Sequence, residues 1–377
     1  MLKGHATAEG TTRFRKRLQG TIPSGHFREC GDLWLSSIGF GTYLGKDDDA
    51  DDQKYRDASP RAAALGVNVF DTAINYRSQR SERSLGQALA ALAEEGEIRR
   101  EELLICTKGG YVPFDGVRPP DPVAYFEKAF ISRGLIGEGE MAAGCHCMAP
   151  GFLASQLAES RQNLGLATID VYYVHNPEHQ LVEFGREVFK KRLQEAFRAL
   201  EEAVTRGEIR FYGTATWQGF REESGAAGHL SLEEVVGIAR KAGGDSHHFR
   251  FVQLPMNFAM PEAITLKNQS VRGTTMTMVE AADRFGITLV ASASLLQARL
   301  AEGLSPGIGE ILAGFKSDAQ RAIQFVRSTP GFTVALVGMK ERAHVDENLQ
   351  VARTPPVSME TYFKLFEQKC AAPGSEG

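Results

Sequence analysis

Four titratable side chains, three at the ends of short apolar runs and one in the loop after the first, are the residues of this sequence best suited to chemistry. Asp71 closes the run VNVF in VFDTAINY, and Tyr76 follows five residues later. Lys108 comes just after LLIC in LLICTKGG, and His175 just after IDVYYV in VYYVHNPE. Each has an ordinary reading taken alone: a turn-capping Asp, a packing Tyr, a Lys reaching for water, an interior His. Together they make a proton-transfer unit. A phenol with a pKa near ~10 is a poor acid at neutral pH. A neighbouring ammonium favours the phenolate and lowers that pKa, and a carboxylate paired to the ammonium keeps it charged and aimed. An imidazole beside the phenol can orient a carbonyl oxygen.

The elements that must position these groups follow from the apolar periodicity. Buried strands are expected from Ile38 onward and at Val67–Phe70, Leu103–Cys106, Ile169–Val174, Ile209–Gly213, Phe251–Leu254, Ile287–Ala291 and Thr333–Val337. Helices are expected between them, for example Asp51–Leu65, Ser81–Leu92, Phe152–Asn163, Arg192–Arg206, Leu232–Ala242, Thr275–Phe285 and Asp318–Arg327, with a short one at Val345–Val351. Short strands that are apolar throughout mean burial on both faces, the mark of a parallel sheet. Eight such units point to an α/β fold of the (β/α)8 TIM-barrel class. The competing reading is a doubly wound open sheet plus a second domain. It needs a composition break near the middle, and the sequence has none. In a barrel, chemistry belongs at the C-terminal ends of strands, where Asp71, Lys108 and His175 fall.

Around the barrel core (33–351) the reading assigns an N-terminal segment, 1–32. Its His26–Cys30 pairs with the β run Leu33–Phe40 as a hairpin across Gly31-Asp32. A tail covers 352–377, with a helix over Met359–Phe366. The long insertion after strand three, 109–150, is read as a lid-like loop over the mouth, with Tyr111, Phe114, Tyr125 and Phe126 as apolar lining. The run RFRKR (Arg13–Arg17) reads as a solvated terminal segment, and His247-His248 as solvent-facing. Cys145-His146-Cys147 lacks the spacing of a zinc site, and no metal is expected.

Composition bounds the partners. A formal net charge of -4 gives no basic footprint for nucleic acid. No apolar stretch is long enough to span a membrane. The opening MLKGHATAEG lacks the apolar core of a secretory signal, and five cysteines are few and odd in number, so a cytoplasmic setting is expected.

IGFGTYLG, DTAINY, TKGG and VYYVHNP together resemble the aldo-keto reductase superfamily from about Ile38 to Val351. The resemblance implies an NAD(P)-dependent oxidoreductase acting on a small carbonyl or alcohol substrate, without metal. Carried over, Tyr76 is the general acid/base, Asp71 and Lys108 tune it, and His175 positions the carbonyl. For the coenzyme, NADP or NAD, it implies Gln253 at the carboxamide. Ser294, Leu295 and Gln297 lie along the pyrophosphate. The stretch from Gly338 through Lys340, His344, Glu347 and Asn348 takes the adenosine. Tyr43 and Tyr111 line the substrate pocket.

Three positions depart from the family pattern. His344 stands where an Arg often grips a 2′-phosphate, Ala215-Thr216 replaces a Ser-Asn pair, and Ser292 stands where a Tyr often stacks on nicotinamide. An alternative within the same resemblance is a nucleotide-sensing subunit that mainly binds a partner protein. A barrel hydrolase would need clustered metal ligands that the strand ends do not offer. The glycine run of IGFG is expected on strand one rather than in a phosphate loop. The residues after it, KDDDADD, would repel a pyrophosphate. The substrate and the oligomeric state are not written in the sequence.

Overall fold

The computed structural model describes residues 1–370; residues 371–377 of the expected tail lie outside the described residues. Eight parallel strands close a barrel. In chain order the first elements are α1 (Ala8–Arg17), β1 (Phe27–Cys30), β2 (Leu33–Ser36), β3 (Ile38–Gly41), α2 (Asp49–Ala64), β4 (Val69–Asp71), α3 (Arg80–Glu94) and β5 (Leu104–Gly109). After the insertion, which holds α4 (Pro122–Phe126), come α5 (Pro150–Leu164), β6 (Ile169–His175), α6 (Glu178–Thr205), β7 (Ile209–Ala215), α7 (Leu232–Gly243) and β8 (Phe249–Pro255). A small excursion carries α8 (Glu262–Thr265) and the hairpin β9 (Gln269–Val271) and β10 (Thr274–Met276). Next are α9 (Met278–Phe285), β11 (Thr288–Ser292), α10 (Pro306–Ile311), α11 (Asp318–Ser328), β12 (Phe332–Gly338), α12 (Arg342–Asn348) and α13 (Met359–Cys370). The barrel order is β3-β4-β5-β6-β7-β8-β11-β12, with β12 back against β3.

Strand alternation decides what the barrel holds. Residues two apart point the same way. Val69, Leu104, Cys106, Val171, Tyr173, Phe251, Val290, Val334 and Leu336 form one buried cluster inside the barrel. Continuing each strand by two residues at the same parity reaches Asp71, Lys108, His175 and Gln253. The apolar filling thus ends in a polar top layer. Gly39 belongs to the same interior. A Cβ there would lie 2.7 Å from Leu336 Cδ2 and 2.9 Å from Val334 Cγ1, so the glycine of IGFG serves close packing inside strand one.

The apolar run 33–40 is not one strand. It breaks at Ser37: β2 pairs antiparallel with β1, and β3 enters the barrel. Leu33 and Leu35 of the hairpin join the interior cluster and close the bottom. The RFRKR run is solvated only in part, at Lys16 and Arg17. It lies in α1, where Arg13 pairs with Glu101 and Glu102 at 2.8 Å and Arg17 with Glu102 at 2.5 Å. Arg15 stacks on Trp34, its guanidinium carbon 3.6 Å from the ring. A mostly charged helix with Phe14 as its single large buried side chain has little apolar periodicity to reveal it. The helix expected at Arg192–Arg206 begins earlier, at Glu178, with a break at Gly185, whose φ is 76°. His247 is buried, against the expectation, whereas the His248 side chain stays partly exposed and lies 2.7 Å from Glu201 Oε2.

Candidate active site

The top layer carries a buried ion pair. Lys108 Nζ donates to Asp71 Oδ1 at 2.5 Å and to the Thr72 carbonyl at 2.8 Å, with its own side chain fully buried. Gln253 Nε2 donates to the other Asp71 oxygen at 2.8 Å, so both carboxylate oxygens are held. The Lys108 ammonium lies 4.8 Å from the centre of the Tyr76 ring. Burial disfavours the Lys108 cation, but Asp71 and Tyr76 outweigh it and raise its pKa. Burial pushes the Asp71 carboxyl up, and Lys108 opposes that.

Tyr76 differs from its sequence-based reading. Lys108 does favour the phenolate, but desolvation is larger and raises the phenol pKa above its ordinary value. At neutral pH the group therefore holds its proton. His175 stands beside it, ring centroids 5.9 Å apart. Burial, then the Lys108 charge, depress its pKa well below the usual imidazole range, so the ring is neutral. Its Nδ1 is buried with no hydrogen-bond partner in the protein.

The insertion reaches this site through two side chains. The buried His146 donates from Nε2 to the His175 carbonyl oxygen at 2.7 Å, and burial lowers its pKa to about 4. Tyr111 sits edge-on to His175, 4.9 Å between centroids. Its hydroxyl meets His179 Nε2 at 2.7 Å and accepts from Asn176 Nδ2 at 2.9 Å. Phe114, Tyr125 and Phe126 do not line the cavity. Phe130, Ile136, Cys147 and Phe152 form a satellite core within the insertion, and Tyr125 and Phe126 pack against it while Phe114 stacks edge-on to Tyr125. Cys147 thus serves packing, and Cys145 is an exposed free thiol.

One cavity of about 1040 Å³ starts at this layer and runs outward along the loops after β11 and β12. Of the catalytic, coenzyme and pocket residues that the resemblance implies, all but Lys108 line it; Lys108 lies behind Asp71. At the mouth are Tyr43, Asp71, Tyr76, Tyr111, His175 and Gln253. Beyond them come Ser294, Leu295 and Gln297, and at the far end Gly338, Lys340, His344, Glu347 and Asn348. Tyr43 is about half exposed and packs edge-on to Tyr76 at 5.0 Å. The Ser294 hydroxyl is buried without a partner. Leu296, Gln297 and Ala298 are consecutively left-handed, with φ of 46°, 53° and 69°. Sequence reasoning missed Asn75, Asn176 and Trp217 at the mouth, and Lys316 and Arg321 at the far end. Asn176 directly follows β6 and Trp217 lies two residues past β7, so both could have been found by position. Lys316 lies in the loop before α11 and Arg321 near the start of that helix, with no such cue.

The Aldo/keto reductase family model matches residues 37–224, which carry Asp71, Tyr76, Lys108 and His175. The chain belongs to the aldo/keto reductase family. This family member is 26% identical over 202 residues to a probable voltage-gated potassium channel subunit beta of Arabidopsis thaliana, covering 53% of this chain and 49% of that protein. It is 28% identical over 189 residues to an NADH-specific methylglyoxal reductase of Escherichia coli (strain K12), covering 49% of each. The chain spans about half the length of these curated relatives. Its fold matches the crystal structure of an aldo/keto reductase from Klebsiella pneumoniae in complex with NADP and acetate. The TM-score is 0.61 with 19% identity, over 94% of this chain and 98% of that one.

Proposed function

We propose that this aldo/keto reductase is an NAD(P)-dependent oxidoreductase that interconverts a small carbonyl substrate (aldehyde, ketone or sugar) and its alcohol, with Tyr76 as the general acid/base. The observation that carries this reading is the buried Asp71–Lys108 pair beneath Tyr76, at the mouth of a cavity long enough to run on to a second, charged end.

The residues present fit a dinucleotide. The cavity volume is near the upper end of the ~300–1,000 Å³ usual for ligand sites. The buried, unpartnered Ser294 hydroxyl and the left-handed turn 296–298 offer polar groups along its length. Gln253 keeps its amide oxygen for the carboxamide, because its nitrogen is held by Asp71. Ser294, Leu295 and Gln297 are assigned to the pyrophosphate, and Gly338, Lys340, His344, Glu347 and Asn348 to the adenosine. When bound, the coenzyme supplies or takes up the hydride.

The protein's own part is the proton. Tyr76 is protonated at neutral pH and holds its proton for a carbonyl oxygen placed between it and His175. As the proton leaves, the Lys108 ammonium stabilises the phenolate in a water-poor layer where charges interact strongly. Asp71 keeps Lys108 charged and fixed, and Gln253 keeps Asp71 from turning. Neutral His175 holds the substrate oxygen by a hydrogen bond without competing as a proton donor. Tyr43 and Tyr111 flank the substrate, and residues 109–150 act as a wall or lid. Among the described residues no helix is long and apolar enough to cross a membrane, and Cys30, Cys106, Cys145 and Cys147 are free thiols. Free thiols fit the reducing cytoplasm, where we place the protein.

The similarity to proteins named potassium channel β subunits motivates a second reading, a nucleotide-sensing subunit that binds a partner protein. Following coenzyme consumption over a panel of aldehydes, ketones, quinones and aldoses separates the two. Turnover of any of these carbonyls supports the enzyme. Tight coenzyme binding with none turned over favours the sensor.

A further inference from the structure

The acidic run Asp47–Asp52 is the one sequence feature that the proposed chemistry leaves unused. Its carboxylates are engaged one by one. Asp47 accepts from Ser78 Oγ at 2.6 Å, Asp52 pairs with Arg77 and Arg80 at 2.6 Å, and Asp48 caps α2. Asp51 alone turns toward the far end of the cavity. It is 4% exposed and accepts from Lys340 Nζ at 2.6 Å and from the Lys46 amide at 2.8 Å, with Lys54 Nζ 3.1 Å away. Burial opposes its ionisation, but these donors prevail and hold its carboxyl well below the usual range.

Lys340 is therefore committed before any ligand arrives. The other cations at that end fare similarly. Arg321 pairs with Asp318 at 2.8 Å and donates to the Phe315 carbonyl. Lys316 makes no ion pair among the described residues, but the same end of the cavity also carries Glu302, Glu341 and Glu347. Lys54, which could offset Asp51, is shared with Glu341 at 2.8 Å. A phosphate placed on Lys340 would thus lie against the Asp51 carboxylate in a field with no net positive charge. A phosphomonoester brings a charge of about −1.5 to −2 at pH 7.

We infer that Asp51, through its ion pair with Lys340, makes this chain prefer the dinucleotide without a 2′-phosphate, NADH over NADPH. The inference rests on the dinucleotide reading above, with the adenosine at the Lys340 end. Asp51 is a specificity-determining residue that acts through Lys340.

Nicotinamide fluorescence titrations of the full chain with each coenzyme test it, with thermal melts as the check on folding. Wild type should bind NADH on the order of tenfold more tightly than NADPH, as expected for one uncompensated charge contact. Asp51→Asn keeps an acceptor for the Lys46 amide and frees Lys340. It should tighten NADPH roughly tenfold and leave NADH within about threefold. Adding Lys340→Met to Asp51→Asn should cancel that NADPH gain, because the gain comes from the freed ammonium. A wild type that favours NADPH, an unchanged coenzyme ratio in Asp51→Asn, or an NADPH gain that persists in the double variant would each overturn the role of Asp51 while the dinucleotide reading stands. Should Asp51→Asn fail to fold, the wild-type ratio and Asp51→Ser, read in the same titrations, still decide. A wild type that binds neither coenzyme refutes the dinucleotide reading itself.

Discussion

The two ends of the cavity are built differently. The mouth is made of strand ends. Asp71, Lys108, His175 and Gln253 are fixed by the parity of rigid, paired strands, and the charges of Asp71 and Lys108 are buried and hydrogen-bonded to each other, with Gln253 on the second carboxylate oxygen. The far end is made of loops and of helices α2, α11 and α12, held by ion pairs that are partly open to water: Lys340–Asp51, Lys54–Glu341 and Arg61–Asp346. A buried pair is costly to break, because the abandoned charge has nowhere to go. A surface pair contributes little and is easily rewired. The comparison teaches that the proposed chemistry rests on the end that cannot shift. Coenzyme choice, by our inference, rests on the end that one substitution can retune.

The largest contrast comes from Lys108→Met, which strands Asp71 in the buried layer. It should destabilise the fold by about 3–5 kcal/mol, read by urea denaturation, and remove measurable turnover. Stability equal to wild type would mean that Asp71 takes up a proton at no cost, and the mouth would not be the rigid end. A smaller effect is expected from His146→Ala, which leaves the His175 carbonyl without its donor. About 1–3 kcal/mol of stability should be lost, with KM rising more than kcat falls as His175 loosens. Unchanged kinetics would detach the insertion from the site.

The same residue gives a pH signature. The His146 pKa falls to about 4 in the folded chain, against about 6.5 unfolded. Between those values the unfolded state binds a proton that the native state refuses, so stability decreases as pH falls from about 6.5 to about 4. His146→Gln should flatten its share of that slope in melts across this window. A slope identical to wild type would assign the dependence elsewhere, with His26, lowered to about 3, the next group to examine. The smallest effect belongs to the far end. Arg61→Met removes the half-exposed pair with Asp346 and should cost no more than about 1 kcal/mol, less still at high salt. A loss as large as that of Lys108→Met would erase the contrast between the two ends.

The same contrast explains what the sequence disclosed. Asp71, Lys108 and His175 fall at the ends of short, wholly apolar runs, so a barrel and its top layer can be read from those runs. The far end offered no such rule. Lys340 meets Asp51 across 289 positions, and nothing local in KDDDADD marks one carboxylate as buried against a lysine. The acidic run reads as repelling a phosphate, but which of its carboxylates meets Arg77, Arg80 or Lys340 is decided by the fold. Helix α1 hid for a related reason: its stability comes from ion pairs to Glu101 and Glu102, which leave no apolar stripe. The effect of Lys108 on Tyr76 had the right sign, but burial, which sequence does not quantify, turned the net shift upward. Of the insertion aromatics that the sequence assigns to the cavity, Tyr111 reaches it, while Tyr125 and Phe126 pack on a core of the insertion itself.

The central claim is that Tyr76, set over the Asp71–Lys108 pair, carries the proton. Tyr76→Phe removes one oxygen and keeps the ring against Tyr43 and His175. With a carbonyl substrate identified by the coenzyme-consumption panel, this variant should bind coenzyme as wild type does. Its single-turnover rate should fall by a factor of ~10²–10⁴, the usual worth of a positioned acid. A single-turnover rate within a few-fold of wild type, with coenzyme binding intact, would contradict the account.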